Sequence, residues 1–101
     1  MATAVQPTES STRFEIPRSF NRHQARELRG QVQRALRRGA RSLIVDCGAW
    51  STLDLSMLSA LIQCATACRE YGASFEVANL SSDLVGGVRE LQLGGRLGLA
   101  D

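Results

Sequence analysis

The feature that most constrains this chain is the segment Ser42-Leu43-Ile44-Val45-Asp46-Cys47, together with what flanks it. The segment is short, apolar and rich in β-branched residues, which predicts a strand buried at the centre of a sheet. A helical period lies on each side of it. Upstream, Ala25, Leu28, Val32, Ala35 and Leu36 recur at three and four residues, an amphipathic helix of about 17 residues. Asn21 stands where its N-cap should be, Phe20 is placed to staple that end, and Gly39 closes the other after Arg37 and Arg38. Downstream, a loop over Gly48–Leu53 leads to Asp54, a second N-cap. The helix behind it has Leu58, Leu61, Ile62, Ala65 and Cys68 as its inner face and ends at Gly72. A strand with a helix before and after it in sequence calls for parallel neighbours, because each helix is the crossover that returns the chain.

Those neighbours are legible. Arg13-Phe14-Glu15-Ile16 alternates polar and apolar and stops at Pro17, as an edge strand does. Ser74–Leu80 alternates over a longer run and predicts a third strand. Ser81, Ser82 and Asp83 then offer a cap for a last helix carrying Leu84, Val85, Val88 and Leu91, which the Gly86-Gly87 pair weakens by roughly 2 kcal/mol relative to two alanines. Glycines at 94, 95 and 98 end the chain in a turn with room for a short final strand. The predicted order is β-α-β-α-β-α, an α/β fold with helices packed on the sheet.

A chain of 101 residues fits one such fold. Its 44% hydrophobic and 22% charged residues exclude an intrinsically disordered chain. Only residues 1–12, MATAVQPTESST, read as a flexible polar tail, leaving 13–101 as the single domain. The tail lacks the basic start and apolar run of a signal peptide, and no apolar stretch approaches the roughly 18 residues of a membrane span. The expectation is a cytoplasmic protein with no direct membrane insertion. Cys47, Cys64 and Cys68 are odd in number and irregular in spacing, which fits small buried thiols and not a disulfide framework.

Charge is unevenly placed. Arg13–Arg41 carries nine arginines against Glu15 and Glu27, whereas residues 42–101 carry three against seven acids. Arg22, Arg26, Arg29 and Arg37 fall along one face of the first helix. Such a stripe is either a solvated exterior or a basic patch for an acidic partner surface. Without interleaved aromatics it is not the pattern of a nucleic-acid site. Chemistry fares no better. With His23 as the single histidine, the chain has neither a nucleophile–base set nor enough ligands for a metal, and it has no glycine-rich phosphate loop for a cofactor. No enzyme activity, cofactor or metal is expected.

The strand–loop–helix unit Leu43-Ile44-Val45-Asp46-Cys47 followed by Thr52-Leu53-Asp54-Leu55-Ser56-Met57-Leu58 resembles the signature of the STAS domain, the family of bacterial anti-sigma factor antagonists. Its hallmark, Asp-Ser-Ser/Thr-Gly-Leu, is matched in place by Asp54-Leu55-Ser56-Met57-Leu58. Asn21 and the apolar positions Ala25, Leu28, Val32 and Leu36 fit the family's first helix. Tyr71–Val77 fits the next turn and strand, and Ser82–Val85 with Leu91–Gly95 fits the last helix, so the likeness runs from about Phe14 to Leu97. The resemblance implies a STAS-like mixed β-sheet and a non-catalytic, protein-binding regulatory domain of anti-sigma factor antagonist type. Its partner would be a histidine-kinase-like ATPase; the alternative is an accessory subunit on the ATPase of a phospholipid (lipid asymmetry) ABC transporter.

Four departures stand out. Leu55 occupies the position of the family's phosphoacceptor serine, Met57 that of its glycine, and Arg96 that of an apolar residue, while a full first strand is hard to find in the tail. Ser56 is then the substitute phosphoacceptor candidate, or else a plain first-turn residue whose hydroxyl helps cap the helix. Leu55 and Met57, with Asp54 and Ser56, form a candidate partner-binding patch. Trp50 and Leu53 in the preceding loop either join it or, for Trp50, fold back over the core.

Overall fold

The computed structural model describes residues 11–18, 20–50 and 54–97. Three strands form one sheet: β1 (Ser11–Glu15), β2 (Ser42–Asp46) and β3 (Ser74–Ala78). Their order is β1-β2-β3 and both pairings are parallel, with Phe14 opposite Val45 and Val45 opposite Val77. The apolar run at 42–47 is thus the central strand, as its composition requires. The antiparallel member of a mixed sheet is not among the described strands. β1 also takes in Ser11 and Thr12, two residues that polarity alone assigns to the tail; pairing with Ser42 and Leu43 extends the strand back to them.

Helices α1 (Arg22–Arg37), α2 (Leu55–Glu70) and α3 (Ser82–Glu90) alternate with the strands, giving β-α-β-α-β-α. Each starts on the residue expected of it. Asn21 Oδ1 accepts from the Gln24 amide and Gln24 Oε1 accepts from the Asn21 amide, both at 3.0 Å, a reciprocal capping box. Asp54 Oδ1 accepts from the Met57 amide at 2.9 Å, and Ser81 Oγ from the Leu84 amide at 3.3 Å. Phe20 is half-buried against the core.

All three helices end in the same two-bond C-terminal motif, and it needs one left-handed residue. In α1 and α2 that residue is glycine, Gly39 at φ 98° and Gly72 at φ 72°. In α3 it is Gln92 at φ 60°, so the helix stops before Gly94 and Gly95. A non-glycine there costs about 1 kcal/mol or more, which the turn absorbs by donating from the Leu93 amide to the Val88 carbonyl at 3.1 Å. Gly95–Leu97 then forms a 3-10 turn where the glycines left room for a strand, and residues 98–101 lie outside the described set.

The core lies between one face of the sheet and the helices. Leu43 and Val45 of the central strand, with Cys47 just past its end, are buried together with Leu28, Val32 and Leu36 of α1 and Leu58, Leu61 and Cys68 of α2. α1 packs against α2, and α2 also packs on β3 and on the 3-10 turn. No described helix is long and apolar enough to cross a membrane.

Candidate functional site

The segment joining β2 to α2 is held from its first residue. Asp46, at the end of β2, accepts the Gly48 amide at 2.9 Å through Oδ1 and the Arg13 guanidinium at 2.6 Å through Oδ2. The Asn79 side chain lies near the same carboxylate and helps to hold it ionised. Three elements therefore meet on one aspartate: the edge strand β1, the loop after β2, and the residue after β3, which takes the left-handed φ of 61°. The Trp50 amide then closes a turn on the Cys47 carbonyl at 3.0 Å. Arg13 and Asp46 are 33 residues apart, so nothing local in the sequence announces the pair.

The hydrogen bond from Gly48, followed by that from Arg13 and by the Asn79 side chain, holds the Asp46 carboxyl below its ordinary pKa of 3.8. A depressed folded-state value means that stability is contributed above the unfolded pKa and lost as pH falls through the folded one. Wild type should therefore lose more stability than Asp46→Asn between about pH 6 and about pH 3, because the variant has no carboxylate to protonate. Urea titrations at the two pH values check this; equal losses would show that the brace contributes nothing.

Past the turn, the expected docking residues separate. Leu55, the first residue of α2, is 69% exposed, and Ser56 and Asp54 are exposed beside it. Met57 is fully buried and Trp50 is 5% exposed; both belong to the core cluster. The patch is narrower than its sequence suggests: Met57 points inward because it lies one helical turn before Leu61, on the face that α2 buries. Trp50 folds back over the core. Leu53 lies outside the described residues. The backbone amides of Leu55 and Ser56 have no acceptor among the described residues, as expected for the first turn of a helix.

Elsewhere, reactive groups are withdrawn. Cys47, Cys64 and Cys68 are free and buried. Burial pushes the Cys47 and Cys64 thiols up to about 12 and raises Cys68 as well, so these sulfurs are neutral and unreactive near pH 7. Arg22, Arg26 and Arg37 are exposed along α1 and Arg29 is half-buried between α1 and α2, while Arg96 is exposed in the 3-10 turn.

Comparison with known proteins bears on the whole chain. A family model described as "Mlab, STAS domain" matches residues 3–99. The NMR structure of the protein TM1081 superposes with a TM-score of 0.80 at 11% identity, covering 95% of this chain and 78% of that one; at this identity the likeness is one of fold alone. No curated protein matches the chain.

Proposed function

This chain belongs to the STAS domain family, and from that premise we propose that it is a cytoplasmic, non-catalytic regulatory domain that docks on an ATPase through the start of α2. The observation that carries the reading is the position of Leu55: a large apolar side chain, 69% exposed, at the family's switch position. Burying it against a partner removes apolar surface from water, while the neighbouring Ser56 offers a place for charge to oppose that contact. A phosphate on Ser56 adds about −1.5 to −2 charge beside the free amides of the first turn, where the helix tolerates it and an apposed apolar surface does not. At Leu55 itself the usual serine phosphoswitch is lost, so binding is either constitutive or controlled by the partner.

In the first reading the partner is a histidine-kinase-like ATPase, and the chain acts as an anti-sigma factor antagonist. In the second it is the ATPase of a phospholipid ABC transporter, with the chain as its accessory subunit. An affinity pulldown from native cytoplasm, with wild type, Leu55→Asp and Ser56→Asp as baits, separates them. The expected result is one ATPase, identified by mass spectrometry, that is retained by wild type and lost from both charged baits. A kinase-like partner selects the first reading, a transporter ATPase the second. Equal capture by all three baits would overturn docking at the α2 start.

A further inference from the structure

The arginines of α1 are more than an exterior stripe. Arg26, Arg29, Arg34 and Arg37 border a groove of about 540 Å³ between α1 and α2, with Val32, Cys64 and Ala67 beneath them. Arg34 was not part of the stripe that the sequence periodicity picks out; the groove brings it in. Among the described residues no side chain or backbone group pairs with the guanidinium of any of the four, although Arg13, on the edge strand, has its aspartate. Within α1 itself, Glu27 is the single acid against five arginines. Val32, Cys64 and Ala67 are themselves buried, so what the groove exposes is the guanidinium row, and a row of like charges with no counter-charge is a costly surface to leave empty.

We infer that this groove is a second docking surface, distinct from the α2 start, and that it takes an acidic amphipathic segment of a protein partner. The shape of the charge decides the ligand class. From Arg26 to Arg37 the row runs about 16 Å along the helix, so the positive charges are strung out and do not converge on a single phosphate. An elongated segment with a row of acidic side chains matches the guanidinium row, and its apolar side chains cover the aliphatic stems of the arginines, which is the helix-in-groove mode of recognition. A single-stranded nucleic acid is also elongated and anionic, but the groove offers no aromatic side chain on which a base would stack. Gln63 and Ala67 lie two to three helical turns beyond Leu55 on α2, so the two surfaces are separate on the same helix.

The test is a fluorescence anisotropy titration of the full chain with a labelled helical peptide of about 14 residues, glutamates on one face and leucines and alanines on the other. A lysine-for-glutamate version and a single-stranded DNA oligonucleotide serve as competing probes. Saturable binding of the acidic peptide is expected, weakened about tenfold by the pair Arg26→Ala and Arg37→Ala. The pair Arg18→Ala and Arg96→Ala, which removes the same charge elsewhere, should change it by less than about threefold. Amide chemical shifts of Gly30, Gln33 and Gln63 should move on binding while those of Leu55 and Ser56 stay in place, and circular dichroism confirms that both variants are folded. Failure to bind the acidic peptide, equal loss in both variant pairs, shifts centred on Leu55, or tighter binding of the oligonucleotide would each overturn the assignment. None of these outcomes depends on the ATPase reading.

Discussion

Met57→Ala is expected to cost the fold about 2–5 kcal/mol, while Leu55→Ala, two residues earlier on the same helix, should change stability by less than about 0.5 kcal/mol. The contrast follows from burial. Met57 is fully enclosed in the core cluster, so truncation removes its transfer energy and leaves a cavity that neighbours fill only in part. Leu55 is in water already, and shortening it exposes nothing new. Against a total of about 5–15 kcal/mol for a typical fold, the first loss is severe and lowers the melting temperature by more than about 8 °C. Paired thermal and urea denaturation of the two variants reads it. A mild Met57→Ala would mean that this side chain is not packed where the family has glycine, and the separation of an inner Met57 from an outer Leu55 would fall.

Trp50→Ala should be as damaging, about 3–5 kcal/mol, because the indole covers the core between the end of β2 and the start of α2. As the single tryptophan it also reports on itself: native emission should be blue-shifted and should move red on unfolding, in step with the loss of circular dichroism. An interface anchor would behave in the opposite way, with stability intact and partner capture lost. That second pattern would move Trp50 from the core back to the docking patch.

Much of the fold is local and therefore readable. Asn21, Asp54 and Ser81 cap their helices because a short side-chain acceptor beside free amides needs no tertiary help. The central position of Ser42–Asp46 is readable for a similar reason, since an unbroken apolar run has nowhere else to go. Gly39 and Gly72 mark helix ends through their own conformational freedom. The end of α3 was not readable, because Gln92 takes a left-handed conformation that composition argues against. The apolar period of α2 marks out a narrower inner face than the helix buries. Alongside the expected Leu58, Leu61, Ala65 and Cys68, with Ile62 only half-buried, the helix also buries Met57, Ala60, Cys64 and Ala67. It packs against α1 as well as against the sheet, so its buried arc is wider than one stripe.

The candidate site divides along the same line. Sequence alone determined that a helix begins at Asp54 behind a buried strand, that Leu55 and Ser56 open it, and that the first half of the chain is basic, since each depends on residues within a few positions of one another. Tertiary structure alone decided which of those side chains face water. It turned Met57 and Trp50 inward and left Leu55 out. It joined Arg13 to Asp46 across 33 residues and set four arginines of α1 around a groove completed by α2. The physical reason is that exposure and pairing belong to the surfaces that meet, and a residue carries no record of the surface that will meet it until the chain has closed.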